Sequence, residues 1–194
     1  MAKRLLAILL LVIISSVCIA AEEYKRRWVK NATEVFWKYE KTSPNYEDYY
    51  QLTFKCGKDD KLAATVTTGR FPKGPRFKRK SAGKMKVEYQ FNRNSVLEDV
   101  WEYSAAYRGK EEFPDPPNFW YFFSPNPVVF ADELLEAMKN KKTQFQFQAT
   151  HKLLFDPERN QWLLGEETGL DTLHFDLQGG AGAVQEVRDK CVPQ

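Results

Sequence analysis

The chain has 194 residues, of which 43% are hydrophobic and 14% aromatic, and it carries 29 lysines and arginines against 26 aspartates and glutamates. This length suits one domain with a core of its own and is short for two. A net charge of only +3 argues against a general polyanion binder, so we expect no nucleic acid partner. The aromatic content favours strands over helices.

The first twenty residues have the layout of a cleaved secretory signal. Lys3 and Arg4 precede an apolar run over 5–14, and small residues follow it. The run is shorter than the ~20 residues that a membrane-spanning helix needs, so an uncleaved anchor is the weaker alternative, as is a lipid attached to Cys18. We therefore predict a signal peptide over 1–20, a single β-rich domain over 21–194 without a transmembrane segment, and a periplasmic or secreted location.

Alternating apolar residues predict the first strands of the mature chain. Val35, Trp37 and Tyr39 alternate with polar or differently facing neighbours, and apolar and polar residues alternate over 50–56, which indicates two half-buried strands. Turn-forming residues at 57–60 separate the second run from a β-branched run over 62–68, so these two runs predict a hairpin. Cys56 lies on the apolar side of its strand, which directs its sulfur toward the core.

Three further strand candidates occupy the middle of the chain. The cleanest alternation covers 84–91, and a short strand is indicated at 100–103. The third candidate is an aromatic run over 119–123, whose rings are candidates for burial on both faces. Prolines flank this run on both sides, and proline cannot donate to a β-ladder. We therefore expect this strand to be short and to lie at an edge or enter directly from a loop.

One segment has the features of a helix. Asn126 can cap it, Pro127 suits its first position, and apolar residues recur every fourth position at Phe130, Leu134 and Met138. Acidic residues near its start and lysines near its end match the helix dipole. The pattern therefore predicts a mid-chain helix that begins at Pro127.

Strands return after this helix. They are indicated at 145–147, at 153–155 and at 162–164, with a turn at Asp156 between the last two. A final strand over 172–177 turns its odd-numbered residues inward.

Glycines over 179–182 then permit a tight bend. A short helix over 183–191 would place Cys191 on the face that presses onto the sheet. With about eight strand candidates and little helix, the expected fold class is mainly β. We predict a β-sandwich or partly closed barrel with one mid-chain helix and a short C-terminal helix.

Two cysteines, Cys56 and Cys191, remain once Cys18 leaves with the signal. An oxidising compartment favours a disulfide between them. The alternative is that both cysteines are buried as free thiols and do not form a disulfide. A catalytic thiol would need a basic partner, and neither cysteine has one nearby in the sequence.

No catalytic signature is complete in the sequence. His174 and Asp176 lie two residues apart on one strand, which can orient a general base, but no motif presents a nucleophile to them. His151 has no neighbouring ligand type, and no spacing supplies the three or four ligands of a zinc site. A glycan hydrolase needs a pair of carboxyl groups in a cleft, which acids such as Glu111 and Glu166 would supply. Clustered acidic residues are, however, ordinarily exposed to solvent and have no catalytic role. We therefore expect no catalysis, no cofactor and no metal.

The most unusual charge feature lies over 61–86, which holds nine basic residues and no acidic one. Glycines and prolines make its centre a long loop, and Phe71 and Phe77 lie among the charges. Rings interleaved with cations suit an anionic surface, whereas a solvated loop that balances acidic segments is the alternative. The candidate anion- or partner-binding residues are Arg70, Lys73, Arg76, Lys78, Arg79 and Lys80.

A second candidate binding face is the proline-rich aromatic segment over 113–123. It would expose apolar rings if they were not packed, and large exposed apolar patches usually mark interfaces. The core is the expected location of Trp120 and Phe122.

The C-terminus resembles a known family. The run Leu173-His174-Phe175-Asp176-Leu177-Gln178-Gly179, followed by Ala183, Val184, Val187 and Cys191, is similar to the closing motif of small exported bacterial proteins associated with type VI secretion. The resemblance spans about 37–191 and implies a β-rich periplasmic domain with a bridge between Cys56 and Cys191 and no catalysis. This chain lacks the cysteine pair often seen in the family's N-terminal region, and its basic loop and proline-rich segment are additional.

These observations predict an exported, non-enzymatic envelope protein, an accessory or binding domain linked to a secretion system. Its expected partner is an envelope protein or an anionic envelope component. A cell-wall or glycan hydrolase that uses acids such as Glu111 or Glu166 is one alternative. An inhibitor or immunity protein that acts through the basic loop is the other.

Overall fold

The computed structural model describes residues 25–31, 34–40, 49–57, 59–69, 81–107 and 118–191. The predicted signal peptide lies outside the described residues. Among the helices that are described, none has the length and apolar character needed to cross a membrane.

Ten strands and two helices make up the described residues. Their bounds are β1 (Lys25–Lys30), β2 (Glu34–Glu40), β3 (Tyr50–Cys56), β4 (Leu62–Thr68), β5 (Ser81–Phe91), β6 (Leu97–Tyr107), β7 (Asn118–Phe123), α1 (Pro127–Lys139), β8 (Gln144–Asp156), β9 (Gln161–Glu167), β10 (Leu173–Asp176) and α2 (Ala181–Cys191). The mainly β prediction, with a mid-chain and a C-terminal helix, is confirmed.

All ten strands belong to one antiparallel sheet. In space they follow the order β1-β2-β3-β4-β7-β6-β5-β8-β10, and β9 pairs with β8 outside this path. The two ends of the order are not hydrogen-bonded to each other, so the sheet is not closed. The predicted hairpin is β3 and β4, in which Cys56 lies opposite Leu62.

The sheet curls until its two ends face each other across the core. The ring of Phe175 on β10 contacts the rings of Trp37 and Tyr50, on β2 and β3, at centroid distances of 5.1 and 5.2 Å. The Tyr50 hydroxyl donates a hydrogen bond to the His174 carbonyl oxygen at 2.9 Å. Ring pairs of this kind contribute about 0.5–1.5 kcal/mol beyond their burial. Side-chain packing therefore joins the ends of the sheet and makes it sandwich-like.

Helix α1 packs on the core face of the sheet. Its Phe130 ring lies 5.8 Å from Phe54, 5.2 Å from Trp101 and 5.5 Å from Phe145, measured between ring centroids. Leu134, one turn later, is also buried. The predicted spacing of four residues therefore describes the face that the helix buries.

The start of α1 agrees with the prediction only in part. The helix begins at Pro127, and the Asn126 carbonyl oxygen accepts the Phe130 N–H at 3.0 Å, but the Asn126 side chain makes no capping hydrogen bond. The first turn contains no acidic residue, so the predicted match with the dipole is wrong at this end. Asp132 and Glu133 lie further along the helix, where both carboxylates bind side chains of other elements.

Strand β7 is short, with six residues, as expected, and it lies inside the sheet between β4 and β6, so of the two expected placements the edge position is wrong. The flanking prolines lie outside the strand, so every residue of β7 keeps the N–H that a ladder needs. Trp120 and Phe122 lie in the core as expected. On the opposite face Phe119 is buried, whereas Phe123 is 39% exposed, so burial on both faces holds at one end only.

Helix α2 brings Cys191 to the end of β3. It packs mainly against β3 and α1, and its buried face consists of Val184, Val187 and Cys191, as predicted. The Cα atoms of Cys56 and Cys191 are 5.4 Å apart, and a disulfide joins the two residues. The predicted pairing is therefore present, and it links two residues that lie 135 positions apart.

Candidate binding surface

The predicted anion-binding residues lie outside the part of the chain that the structure describes, as do Glu111 and residues 113–117 of the aromatic segment. The anion-binding set is Arg70, Lys73, Arg76, Lys78, Arg79 and Lys80. In sequence, the segment that contains them joins β4 to β5.

The structure describes both histidines. His174 and Asp176 are exposed on β10, and the Asp176 carboxylate accepts the Gln178 backbone N–H at 2.9 Å. His151 Nε2 lies 3.8 Å from a carboxylate oxygen of Glu167. Within the described ranges, no group of three or more histidine, cysteine, aspartate and glutamate side chains is placed to hold a metal ion.

Strands β8 and β9 form a hairpin that continues beyond the ladder between β5 and β8. Residues 153–156 of β8 pair with β9 alone. The predicted turn at Asp156 is confirmed, because its carboxylate accepts the backbone N–H groups of Glu158 at 3.0 Å and Arg159 at 3.3 Å. Asn160 completes the turn with a φ of 49°, a left-handed conformation that asparagine tolerates.

A β-bulge in β8 changes which side chains face the core. The pairing of β5 with β8 skips Thr150, whose hydroxyl donates a hydrogen bond to the Lys86 carbonyl oxygen at 3.3 Å. Because side chains alternate along a strand, one extra residue reverses the faces of all residues after it. Ala149 is buried in the core before the bulge, whereas Leu153 and Phe155 lie on the outer face of the sheet after it.

Apolar side chains gather on this outer face. Phe155 lies opposite Trp162, with ring centroids 5.2 Å apart, and Leu153 lies opposite Leu164. Val100 of β6 joins Leu153, Trp162 and Leu164 in the lining of a shallow groove of about 350 Å³. We call these five residues the hairpin patch: Val100, Leu153, Phe155, Trp162 and Leu164.

Four residues of the hairpin patch are well exposed. The exposed fraction is 62% for Leu164, 48% for Phe155, 44% for Trp162 and 39% for Val100, while Leu153 forms the buried floor. Protein surfaces rarely leave several large apolar side chains in contact with one another and with water. The hairpin patch therefore has the composition of an interaction surface.

A polar rim surrounds the hairpin patch. Lys84 Nζ lies 5.2 Å from the centroid of the Trp162 ring, a cation–π geometry. Lys86 Nζ lies 2.9 Å from a carboxylate oxygen of Glu98 and 3.6 Å from one of Glu88. The hydrogen bond to Glu98 raises the pKa of Lys86 above its ordinary value, although desolvation opposes the shift. An apolar centre with a polar rim of both signs is typical of protein–protein interfaces.

Of the described part of the predicted aromatic face, residues 118–123, the exposed ring is that of Phe123. Phe123 stacks on Tyr121 with ring centroids 6.5 Å apart and lies opposite Glu102 of β6. Phe123 therefore adds an exposed ring to the same face as the hairpin patch, on the strand next to the one that carries Val100.

The sequence interpretation missed the hairpin patch. It predicted strands at 153–155 and 162–164, but each of these runs holds three consecutive apolar residues. A half-buried strand needs an apolar residue only at every second position. The surplus in both runs is the signal that could have indicated an exposed apolar face.

Comparison of the chain with protein-family models, with curated proteins and with solved structures gives no match. A function is therefore proposed from the geometry and chemistry of the chain itself.

Proposed function

We propose that this chain is an exported, non-enzymatic domain of the bacterial cell envelope that binds a protein partner through the hairpin patch, as an accessory of a secretion apparatus. The observation that carries the proposal is the exposure of Phe155, Trp162 and Leu164 side by side on one face. Exposed tryptophan beside aliphatic residues is the usual centre of a protein interface.

The charges around the patch favour a protein over an anionic lipid surface. Lys84 and Lys86 share the outer face with Glu88, Glu98 and Glu102, as the pairing of β5 with β6 requires. An anionic membrane attracts surfaces with an excess of basic residues. This face has no such excess, so apolar contact and mixed polar contacts at the rim are the interactions that it offers.

The disulfide supports export. Disulfides form and persist in oxidising compartments and are rare in the cytosol. The bridge between Cys56 and Cys191 joins β3 to the last residue of α2, so it is part of the fold rather than an isolated surface bond. A periplasmic or secreted location is therefore part of the proposal.

The link to secretion rests on the C-terminal motif. The similarity to exported proteins associated with type VI secretion lies in the strand over 173–177, the glycine after it and the helix that ends at Cys191. In the structure these residues form β10, the turn and α2, which together hold Cys191 against β3. The order of strand, glycine turn and helix is the one that the resemblance implies and so supports the proposed link, whereas the hairpin patch lies elsewhere and would carry the binding.

The test places a photo-crosslinking amino acid at one of two exposed positions in cells that produce the chain. Phe155 lies in the hairpin patch, and Val129, 56% exposed on α1, is the matched control. We expect one defined adduct with an envelope protein from position 155 and none from position 129. The adduct partner is then purified for a binding assay.

In that assay Trp162→Ala should weaken the complex by about 30-fold, as expected for a central interface residue. Val129→Ala should bind like the unchanged chain. Equal adducts from both positions, equal affinity of both variants, or glycan hydrolysis by the purified chain would each refute the proposal.

A further inference from the structure

We infer that Glu102 and Phe123 form a subsite for an arginine side chain of the partner protein, beside the hairpin patch on the same outer face. The inference rests on the proposed function, because it names the chemistry of the partner that the hairpin patch would bind. It assigns a role to two residues that are not members of the patch.

The first argument is that Glu102 carries a charge that its surroundings do not neutralise. Its side chain is exposed, and it takes part in no ion pair with any residue that the structure describes. By contrast, the carboxylates of Glu88 and Glu98 lie 3.6 and 2.9 Å from the ammonium nitrogen of Lys86. Glu102 is therefore the carboxylate on this part of the outer face that is open to a cation from outside.

The second argument is that the lysine nearest to Glu102 points elsewhere. Lys84 lies directly opposite Glu102 on β5, where opposite charges ordinarily attract each other. Its ammonium nitrogen instead lies 5.2 Å from the centroid of the Trp162 ring. On the other side Glu102 lies opposite Phe123 of β7, and Phe123 lies opposite Thr65 of β4. Neither of these two residues supplies a positive charge.

The third argument is the aromatic ring beside the carboxylate. Phe123 is 39% exposed, and residues directly opposite each other in an antiparallel sheet have Cβ atoms about 4.5–5.5 Å apart. A guanidinium group is planar, so it stacks on an aromatic face while its N–H groups bind a carboxylate. The ammonium group of lysine has no flat face for such stacking. Glu102 together with Phe123 therefore suits arginine better than lysine.

The fourth argument is the position of this pair next to the hairpin patch. Val100, a member of the patch, lies two residues before Glu102 on β6, so the two side chains point to the same face about 7 Å apart. Val100 also lines the groove that contains Trp162. A partner that covers this groove therefore extends over Glu102. Protein interfaces place polar contacts at the rim of an apolar centre and are enriched in arginine.

The first test repeats the photo-crosslinking experiment with the reactive amino acid at position 123. We expect an adduct with the same envelope protein that position 155 captures. Mass spectrometry of the adduct should locate the crosslink within a few residues of an arginine of that protein. A crosslinked segment that contains no arginine would overturn the inference.

The second test measures affinity and rates with the purified adduct partner. Glu102→Gln keeps the size of the side chain and removes its charge, so it should weaken the complex by about tenfold. Most of this loss should appear as slower association and as a smaller dependence of the affinity on salt, because rim charges act mainly on encounter. Phe123→Leu keeps an apolar side chain without a ring face and should weaken the complex by about threefold.

The matched control is Asp59→Asn, in the turn between β3 and β4. Asp59 is also exposed and also makes no ion pair within the described ranges, and the change removes the same charge. This variant should bind like the unchanged chain. Equal losses from Asp59→Asn and Glu102→Gln would mean that net charge alone attracts the partner, and would overturn the subsite.

The outcomes separate this inference from the proposed function. If Trp162→Ala weakens the complex while Glu102→Gln binds like the unchanged chain, the hairpin patch is the interface and the arginine subsite is refuted. If positions 155 and 123 both give no adduct, the subsite and the proposed function are refuted together.

Discussion

Phe130 shows how much of the fold depends on a single side chain. It lies 3% exposed on α1 and contacts rings from both halves of the sheet, including Phe54 and Phe145. Replacing it by alanine removes these contacts and leaves a cavity, so Phe130→Ala should lower the free energy of unfolding by about 3–5 kcal/mol. Urea denaturation followed by tryptophan fluorescence measures the loss. The adjacent exposed Val129→Ala should change stability by no more than about 0.5 kcal/mol, and an equal loss in both variants would contradict the prediction.

Tyr89 gives a prediction about alkaline pH. Its hydroxyl donates a hydrogen bond to Glu133 on α1 at 3.1 Å. Burial raises the pKa of this phenol well above its ordinary value, and the negative charge of Glu133 adds to the shift. The folded chain therefore holds the proton more tightly than the unfolded chain. This contribution to stability is complete below the ordinary pKa of about 10 and declines as the pH rises above it.

The free energy of unfolding should therefore fall more steeply with pH in the unchanged chain than in Tyr89→Phe, which has no phenol to ionise at this position. Urea denaturation of both proteins at about pH 8 and about pH 11 measures the two slopes. The absorbance of the phenolate form gives an independent readout of the ionisation. Identical slopes would show that Tyr89 ionises normally in the folded chain.

At the scale of the element, the β8–β9 hairpin depends on a glycine. A Cβ atom at Gly165 would lie 2.7 Å from the Lys152 carbonyl oxygen and 3.0 Å from the Leu154 side chain. Gly165→Ala should therefore force the two strands apart and destabilise the hairpin by about 1–3 kcal/mol. Hydrogen exchange of the β9 amides measures this local loss.

The matched control for this change is Gly182→Ala, in the first turn of α2. No atom lies within 4 Å of a Cβ at that position, and alanine favours a helix over glycine. This variant should keep the exchange rates of β9 and should be as stable as the unchanged chain or slightly more so. Faster exchange in β9 from both variants would mean that Gly165 has no special role in the hairpin.

Strands and helix faces could be predicted where the pattern is local. The apolar–polar alternation in β3 and β5 depends on neighbours within a few residues, as does the recurrence of apolar residues at every fourth position in α1. The structure confirms both patterns. The place of β7 between β4 and β6 depends on partners distant in sequence, so flanking prolines were a poor guide to it. The helix dipole was likewise a weak guide, because Asp132 and Glu133 bind other elements.

The candidate site was the harder part to predict. Thr150 looks like any other strand residue, yet its bulge decides that Leu153 and Phe155 leave the core face. A bulge of this kind is defined by the partner strand, so one strand's own sequence does not reveal it. The exposure of the hairpin patch therefore follows from the pairing of β8 with β5. In the sequence, its one indication is the surplus of apolar residues in the runs 153–155 and 162–164.

At the scale of the whole molecule, the bridge between Cys56 and Cys191 should be a main source of stability. Closing a loop of 135 residues removes entropy from the unfolded chain, worth at most about 5 kcal/mol on the chain-entropy model. The double variant Cys56→Ser, Cys191→Ser should lose several kcal/mol in urea denaturation. A reducing agent should lower the stability of the unchanged chain and leave the double variant as it was. Equal sensitivity of the two proteins to the reducing agent would contradict this prediction.

The same bridge decides how the molecule responds to a pull on its ends. Strands β1 and β2, and β3 up to Cys56, precede the bridge and lie outside the covalent ring, whereas β4 to β10 and both helices lie within the ring that Cys56 and Cys191 close. A force applied to the two termini passes through the sulfur–sulfur bond and never loads the strands between. Tension can therefore peel away the first three strands as far as Cys56 and then stop, while the ring that carries the hairpin stays folded.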